Sequence, residues 1–183
     1  VAGNRDFLIG AQFFEASGMQ ALAGPEPLEP FVANIAGRRI SLVHGDAQCT
    51  DDLSYMAFRA MVRQPAWQAA FLAAPLPQRK ATIENMRKHS QQEQRGKTYE
   101  IMDVHPAAIA ALFEQTATTL LIHGHTHRPA QHTTIIDQTR FDRFVLPDWD
   151  AGTEPARGGW IGIDTQGVIT RYGIDGAAAP EAA

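Results

Sequence analysis

Two short apolar runs of the chain each end in a loop rich in histidine and glycine. The first is RRISLVHGD, residues 38–46, and the second is TLLIHGHTH, residues 119–127. Apolar, β-prone runs of this length that are bounded by turn residues predict buried strands. Two such strands are typical of an α/β sheet whose functional site lies at the carboxyl ends of its strands.

The segment between these two strands, residues 51–115, has the pattern of several helices. It is punctuated by Pro65, Pro75 and Pro77. We expect Asp51 or Asp52 to cap the first helix, and HPAAIAALFEQ to form another with its proline near the start. After residue 130 the pattern changes to that of strands, in HTTIID, RFDRFVLPDW and GGWIGIDTQGVITRYGI, with a hairpin predicted around residues 165–167.

Composition and charge narrow the class of protein. The 183 residues carry a formal net charge of −4, which argues against a general nucleic-acid binder because such proteins usually carry a basic excess. The one cysteine, Cys49, cannot form a disulfide within the chain, and this fits a reducing compartment. No apolar run of the sequence approaches the roughly 20 residues that a membrane-spanning helix needs.

Three of the seven histidines lie at alternate positions of the second loop, as His123, His125 and His127. Side chains at alternate positions of an extended segment point to one side, and neutral imidazole binds Zn, Mn, Fe or Ni through either ring nitrogen. The glycine between the first two allows a sharp turn. The alternative is a polar loop with exposed histidines, but this spacing directly after a buried strand favours a metal site.

Two further segments are weak signals of a functional site when each is taken alone. The order in which they occur along the chain makes them stronger. H-G-D at residues 44–46 could be a turn capped by Asp46, and G-N-R-D at residues 3–6 could be a tight turn before a helix. Asn4 offers a neutral carbonyl oxygen, and Arg5 offers a planar fork suited to phosphate. The order G-N-x-[DE], then H-G-D, then G-H-x-H resembles the calcineurin-like metallophosphoesterases.

This resemblance implies a fold and a metal site. In that superfamily a two-metal site lies on an α/β fold, a β-sandwich flanked by helices, and is built from the blocks D-x-H, G-D, G-N-H-[DE], a lone H and G-H-x-H. The chain contains the last three blocks. Carried over by motif, Asn4, His44 and His125 would coordinate one metal and His127 the other, while His123 is expected to be a supporting residue.

The chain departs from the superfamily pattern at Arg5, where histidine is usual. Arginine cannot exchange a proton at neutral pH but can clamp a phosphate, so Arg5 is the candidate catalytic residue. G-N-R-D-F-L, H-G-D-x-x-C-T-D-D, Y-x-A-F-R, E-I-M-D-V and I-H-G-H-T-H-R-P-A together resemble one subgroup. That subgroup is the UDP-2,3-diacylglucosamine pyrophosphohydrolases of lipid A biosynthesis, and the match runs from residue 3 to about residue 129.

The subgroup implies a substrate, a cofactor and a location. Its members use Mn²⁺, two ions per site, to cleave UDP-2,3-diacylglucosamine into UMP and 2,3-diacylglucosamine 1-phosphate. They are cytoplasmic proteins, peripheral on the inner membrane of Gram-negative bacteria, and do not bind nucleic acid. By motif position, substrate contacts fall on Asn4, Arg5, Asp52, Ser90, Gln94, Lys97 and His125.

Residues 52–115 would then form a helical lid for the acylated substrate. Apolar side chains would contact the acyl chains, and basic side chains would meet the polar head or an anionic membrane surface. The simpler interpretation is an amphipathic hairpin that packs on its own core. We expect some of the side chains of Phe58, Met61, Trp67 and Phe71 to line a groove near the metal site.

The family pattern places two metal-binding blocks upstream of G-N-R-D. We therefore expect residues 1–175 to be a single metallophosphoesterase domain that lacks its N-terminal part, followed by a disordered tail over residues 176–183. Such a fragment should not assemble the two-metal site by itself. Two alternatives stay open: another phosphoesterase of the superfamily that acts on a soluble nucleotide, and an inactive metal- or lipid-binding fragment.

Overall fold

The computed structural model describes residues 1–18, 29–98 and 100–179, with the side chains of Ala11 and Gln94 outside the description. The chain divides into two compact units, and each is described by itself. The first comprises Val1–Asp46 together with Pro106–Ala183, and the second is Ala47–His105.

A mixed five-stranded sheet forms the framework of the first unit. Its strands are β1 Phe31–Ile35, β2 Arg38–Leu42, β3 Leu120–His123, β4 Ala130–Ile136 and β5 Thr139–Val145. They lie in the order β1-β2-β3-β5-β4, and the three central strands are parallel while the outer two are antiparallel to their neighbours. The two predicted buried strands are confirmed as β2 and β3, and their parallel pairing brings their carboxyl ends to one edge of the sheet.

One face of this sheet is apolar and packs against a two-stranded ribbon. The ribbon consists of β6 Gly159–Ile163 and β7 Ile169–Gly173, which pair antiparallel around the predicted hairpin turn. The core between the two layers is made by Ile40, Leu120, Ile122 and Phe144 of the sheet with Ile161, Ile163 and Ile169 of the ribbon. Alternate residues of each strand supply this face, as the period of a β-strand requires.

The opposite face of the sheet meets a helix. Two helices of this unit are α1 Ala11–Ser17 and α5 Pro106–Thr116, and the latter confirms the helix predicted from HPAAIAALFEQ. Phe113 of α5 packs against Phe141 of β5 with ring centroids 5.1 Å apart. Just beyond the helix, the buried hydroxyls of Thr118 and Ser41 are hydrogen bonded at 2.7 Å. The α/β fold class is thus confirmed, with a layered sheet structure like that of a metallophosphoesterase.

The second unit is helical, as predicted for this segment. Its helices are α2 Leu53–Val62, α3 Pro65–Ala73 and α4 Leu76–Gln94. Asp52 caps α2, because its Oδ1 accepts a hydrogen bond from the backbone N–H of Tyr55 at 3.0 Å. The expected insert of residues 52–115 also contained α5, whereas α5 belongs to the first unit. Within the described ranges, no helix is both long and apolar enough to cross a membrane.

A groove of about 240 Å³ lies on the surface of this helical unit. The rings of Trp67 and Phe71 stack at 5.1 Å along one side of it. Met86 of α4 lies on its wall, while Phe58 and Met61 are not among the lining residues. Some of the four candidate side chains, Trp67 and Phe71, thus line a groove, and its nearness to the metal site stays a prediction.

The C-terminal residues continue the ribbon further than expected. Residues 176–179 belong to the predicted disordered tail. The backbone N–H of Ala179, however, donates to the carbonyl oxygen of Arg171 in β7 at 2.7 Å, and the carbonyl oxygen of Ala177 accepts from the N–H of Gly173 at 2.9 Å. Gly176, at φ 78°, provides the left-handed turn that folds the chain back. The rest of the predicted tail, residues 180–183, lies outside the described residues.

Candidate metal centre

The loops that follow β2 and β3 meet at the carboxyl edge of the sheet. Parallel pairing continues beyond the strands, because Val43 N–H donates to Ile122 at 3.2 Å and Gly124 N–H donates to His44 at 3.0 Å. These bonds place His44 beside His125, and His125 Nδ1 lies 3.2 Å from His44 Nε2. Two imidazole nitrogens that face each other at this distance can hold one proton or one metal ion between them.

The N-terminal G-N-R-D turn packs against His44. A Cβ built on Gly3 would lie 2.9 Å from His44 Cε1 and 3.0 Å from its Nδ1, so the backbone can approach the ring this closely only at a glycine. Gly3 therefore lies directly against the ring of His44, and Asn4 follows Gly3 in the chain. Its side chain is partly buried, while Arg5 is exposed.

The first histidine of the loop is separated from the other two. His123 is the last residue of β3 and is only 1% exposed, and the strand ends there. His125 and His127 follow with φ angles of 64° and 54°, in the left-handed region, and the N–H of Thr126 bonds back to Gly124 at 2.7 Å. The backbone is thus extended only as far as His123, so the one-sided arrangement of an extended segment does not apply to His125 and His127.

His127 faces a carboxylate. Its Nδ1 is 4.0 Å from Asp148 Oδ2. Arg157 holds that carboxylate through Nη2 at 2.8 Å and Nε at 3.2 Å. This hydrogen bonding keeps the pKa of Asp148 below its ordinary value, although burial acts to raise it. The charges of Arg157 and His127 lower the pKa further.

A cleft of about 510 Å³ opens beside this group. It is lined by His127, Pro129, Pro147, Asp148, Ala156, Arg157 and Gly158. No motif of the sequence indicates Asp148 or Arg157 as a functional residue. The signal for Asp148 is its position three residues after β5, since β5 is parallel to β3 and its carboxyl end lies at the same edge of the sheet.

Some of the donor atoms at this edge of the sheet suit a hard or borderline divalent cation. Within the described ranges, no three His, Cys, Asp or Glu side chains form a group that could hold a metal ion. The resemblance adds an amide, Asn4, to the pair His44 and His125. Imidazole nitrogen with a carbonyl oxygen is a donor set compatible with Mn²⁺, so these residues fit one ion, whereas the second has only His127 among the residues carried over.

The other residues predicted to contact substrate belong to the helical unit. Lys97 Nζ donates to both carboxylate oxygens of Asp52, at 2.6 and 2.8 Å, and to Ser54 Oγ at 2.8 Å. Ser90 is exposed on α4. The side chain of Gln94, another predicted contact, lies outside the described part of the chain. The structure thus joins Asp52 with Lys97 in one ion pair.

We expect the Asp52–Lys97 pair to make stability depend on acid pH. Burial alone would raise the pKa of Asp52, but the hydrogen bonds from Lys97 and from Tyr55 N–H outweigh it and lower the pKa below its ordinary value of 3.8. A carboxylate with a lowered folded-state pKa stabilises the fold above its unfolded pKa, and this contribution disappears as pH falls through the folded value.

Urea unfolding of the Asp52→Asn variant at several pH values tests this expectation. At pH 7 the variant should be less stable than the unmodified chain by about 1–3 kcal/mol, the usual contribution of hydrogen bonds to a charged group. The difference should shrink steadily from about pH 4 downwards. Asp51→Asn is the matched control, because Asp51 is exposed and lies outside the pair. A difference that does not change with pH would contradict the assignment.

Gly45 is the glycine whose replacement should disturb this edge most. Its φ is 109°, and a Cβ there would lie 2.8 Å from His123 Nδ1 and 3.2 Å from the carbonyl oxygen of Gly124. Gly45→Ala should therefore lower the unfolding free energy by about 2–4 kcal/mol. Gly37→Ala is the control, because Gly37 has φ 75° and open space around it, so only about 1 kcal/mol of backbone strain is expected. Equal losses in the two variants would mean that the close contact with His123 has no energetic weight.

Comparison with known proteins places these features in context. No protein-family model matches the chain. A protein of Bordetella pertussis named UDP-2,3-diacylglucosamine hydrolase is 48% identical over 167 residues, which are 91% of this chain and 63% of the relative. Proteins of the same name from Aromatoleum aromaticum and Escherichia coli O7:K1 are 43% and 44% identical over 80% and 81% of the chain, and the aligned residues are 58% and 60% of those relatives.

The chain thus spans less than two thirds of the length of the curated relatives it matches. The identity nevertheless extends over most of the chain itself, including both units. At 43–48% identity, the chain is similar in sequence to proteins named UDP-2,3-diacylglucosamine hydrolase.

Proposed function

We propose that this protein is a metal-dependent hydrolase of lipid A biosynthesis. It cleaves the pyrophosphate of UDP-2,3-diacylglucosamine and releases UMP and 2,3-diacylglucosamine 1-phosphate. The observation that carries the proposal is the 3.2 Å approach of His125 to His44 beside the G-N-R-D turn, in a chain 48% identical to a protein named for this substrate.

Asn4, His44 and His125 would hold one Mn²⁺ and His127 the other. When bound, such a pair of ions polarises phosphoryl oxygens and lowers the pKa of a bound water, so that hydroxide is available at neutral pH. The neutral imidazoles and the amide carbonyl supply donors without adding negative charge.

Arg5 would bind a substrate phosphate beside these ligands. Its guanidinium is exposed and adjoins Asn4 in the turn that packs on His44. A guanidinium keeps its charge throughout the working pH range and presents paired N–H donors to phosphate, so it orients the group without exchanging protons. We assign it the sugar-linked phosphate, which leaves the UMP phosphorus open to water.

The helical unit would bind the diacylated sugar. The groove beside Trp67 and Phe71 offers an apolar surface for an acyl chain. The ammonium of Lys97 has three hydrogens, and it already donates to both carboxylate oxygens of Asp52 and to the hydroxyl of Ser54. To bind a substrate oxygen, it would exchange the Ser54 hydroxyl for that oxygen. Ser90 and Gln94 would add contacts from α4.

The same unit would attach the protein to the cytoplasmic face of the inner membrane. Exposed apolar side chains lie close in sequence to exposed basic ones, with Leu72 and Leu76 49% and 54% exposed. Lys80, Arg87 and Lys88 of α4 are exposed as well. This combination of apolar and basic groups favours peripheral binding to an anionic lipid surface.

An assay of a full-length protein that carries this sequence separates the candidate functions. Mn²⁺ is supplied with either UDP-2,3-diacylglucosamine or a simple phosphodiester, and the products are separated by chromatography. We expect Mn²⁺-dependent release of UMP from the lipid substrate and little cleavage of the diester. The reverse preference would indicate a phosphoesterase for soluble nucleotides, and cleavage of neither would indicate a metal- or lipid-binding protein.

A further inference from the structure

We infer that His123 is a positioning residue: Arg143 holds it in one neutral tautomer, and it fixes the loops that carry His44 and His125. Its functional meaning rests on the proposed metal site, but its geometry does not. His123 itself would not bind metal. It would set the distance between two side chains that do.

The tautomer of His123 follows from its two hydrogen bonds. Arg143 Nη1 lies 3.0 Å from His123 Nε2, and His123 Nδ1 lies 3.0 Å from the carbonyl oxygen of Gly124. A guanidinium only donates, so Nε2 must accept and the ring proton must be on Nδ1, where it is donated to Gly124. Because both ring nitrogens are engaged and the residue is 1% exposed, no position is left for a metal ion.

The imidazole lies between the backbones of the two loops. On one side it limits Gly45, since a Cβ there would come within 2.8 Å of Nδ1. On the other side it binds Gly124, whose own N–H donates to the carbonyl oxygen of His44 at 3.0 Å. The ring therefore contacts the residue directly after His44 and the residue directly before His125.

The register of the parallel strands brings Arg143 to this ring. Leu121 of β3 pairs with Arg143 of β5, and His123 pairs with Val145. Side chains two residues apart in a strand share a face, so Arg143 lies one row before His123 on the same face of the sheet. The backbone is fixed at the same point, because Leu146 N–H donates to the carbonyl oxygen of His123 at 2.7 Å.

Two substitutions separate the two bonds of His123. In His123→Gln the amide oxygen reaches about as far as Nε2 and can accept from Arg143. In His123→Asn the amide nitrogen lies near the position of Nδ1 and can donate to Gly124, but it is too short to reach Arg143. His132→Asn is the matched control, because His132 is exposed on the edge strand β4.

The first measurement is made on this chain without metal. Ring ¹⁵N shifts of His123 should report the Nδ1–H tautomer, and Arg143→Met should shift the population toward Nε2–H. Cross-peaks between the His44 and His125 rings should weaken in His123→Asn, be retained in His123→Gln and be unchanged in His132→Asn. Urea midpoints verify that each variant is folded, and a variant that is not folded is replaced by Arg143→Met for this comparison.

The second measurement is the Mn²⁺ affinity of a full-length protein that carries this sequence, determined by electron paramagnetic resonance. We expect His123→Asn to weaken binding about 10- to 100-fold, the usual effect of removing a group that orients a metal ligand, and His123→Gln to recover most of it. An Nε2–H tautomer in the unmodified chain, or unchanged ring cross-peaks and affinity in His123→Asn, would overturn the inference. If a full-length protein that carries this sequence binds no Mn²⁺, the proposed metal site fails, and the ring cross-peaks alone then decide the role of His123.

Discussion

Replacement of Arg5 by alanine should reduce the turnover of UDP-2,3-diacylglucosamine strongly while the Mn²⁺ content of the protein stays unchanged. Arg5 lies in the same turn as Asn4 but is exposed, so its replacement should remove the proposed phosphate contact and leave the proposed metal ligands in place. Losing a charge-assisted, bidentate contact in a transition state costs on the order of 2–4 kcal/mol. That corresponds to roughly 30- to 1,000-fold in rate.

Two further substitutions at Arg5 distinguish a phosphate clamp from a proton-transfer group. Arg5→Lys keeps the charge but loses the paired donors, so it should restore activity only in part. Arg5→His restores the residue usual in the superfamily, which can exchange a proton near neutral pH. The assays use a full-length protein that carries this sequence. A histidine variant as active as the unmodified enzyme on the lipid substrate would rule out the clamp.

Replacement of His125 by alanine should remove most of the Mn²⁺ affinity. Its Nδ1 is 3.2 Å from His44 Nε2, so one substitution takes away half of the imidazole pair around which the site is proposed. Because a ligand contributes more than the groups that orient it, the affinity should fall by about 100-fold or more. His44→Ala should have an effect of similar size.

The control for this prediction is a histidine outside the site. His132→Ala changes an exposed residue of β4 and should leave the affinity unchanged. Mn²⁺ titration followed by electron paramagnetic resonance measures all three variants of a full-length protein that carries this sequence, under one set of conditions. Full Mn²⁺ affinity in both His44→Ala and His125→Ala would show that the metal binds elsewhere.

The framework of the site was predictable because its signals are local. RRISLVHGD and TLLIHGHTH are apolar runs that end in glycine-containing loops, and each forms the predicted strand. Parallel pairing of β2 with β3 then accounts for the approach of His44 and His125, which are 81 residues apart in the sequence. No spacing rule within either run shows that these two loops are neighbours; the motif order of the superfamily supplied that link.

The failures of prediction come from backbone conformation and tertiary contact. The alternate spacing of the loop histidines suggested one common face, but His125 has φ 64° and the strand ends at His123. Asp148 was not predicted as a site residue, because a carboxylate in a loop that contains proline and tryptophan has no periodic signature. Its position becomes meaningful only when Arg157 is seen to bind it at 2.8 Å.

Hydrolysis in ¹⁸O-labelled water tests the central claim most directly. A full-length protein that carries this sequence is incubated with Mn²⁺ and UDP-2,3-diacylglucosamine, and both phosphate products are examined by mass spectrometry. If Arg5 orients the sugar-linked phosphate while water attacks the other phosphorus, one ¹⁸O atom should enter UMP and none should enter 2,3-diacylglucosamine 1-phosphate. Label in the sugar phosphate, or cleavage that does not depend on a divalent metal, would contradict the proposed chemistry.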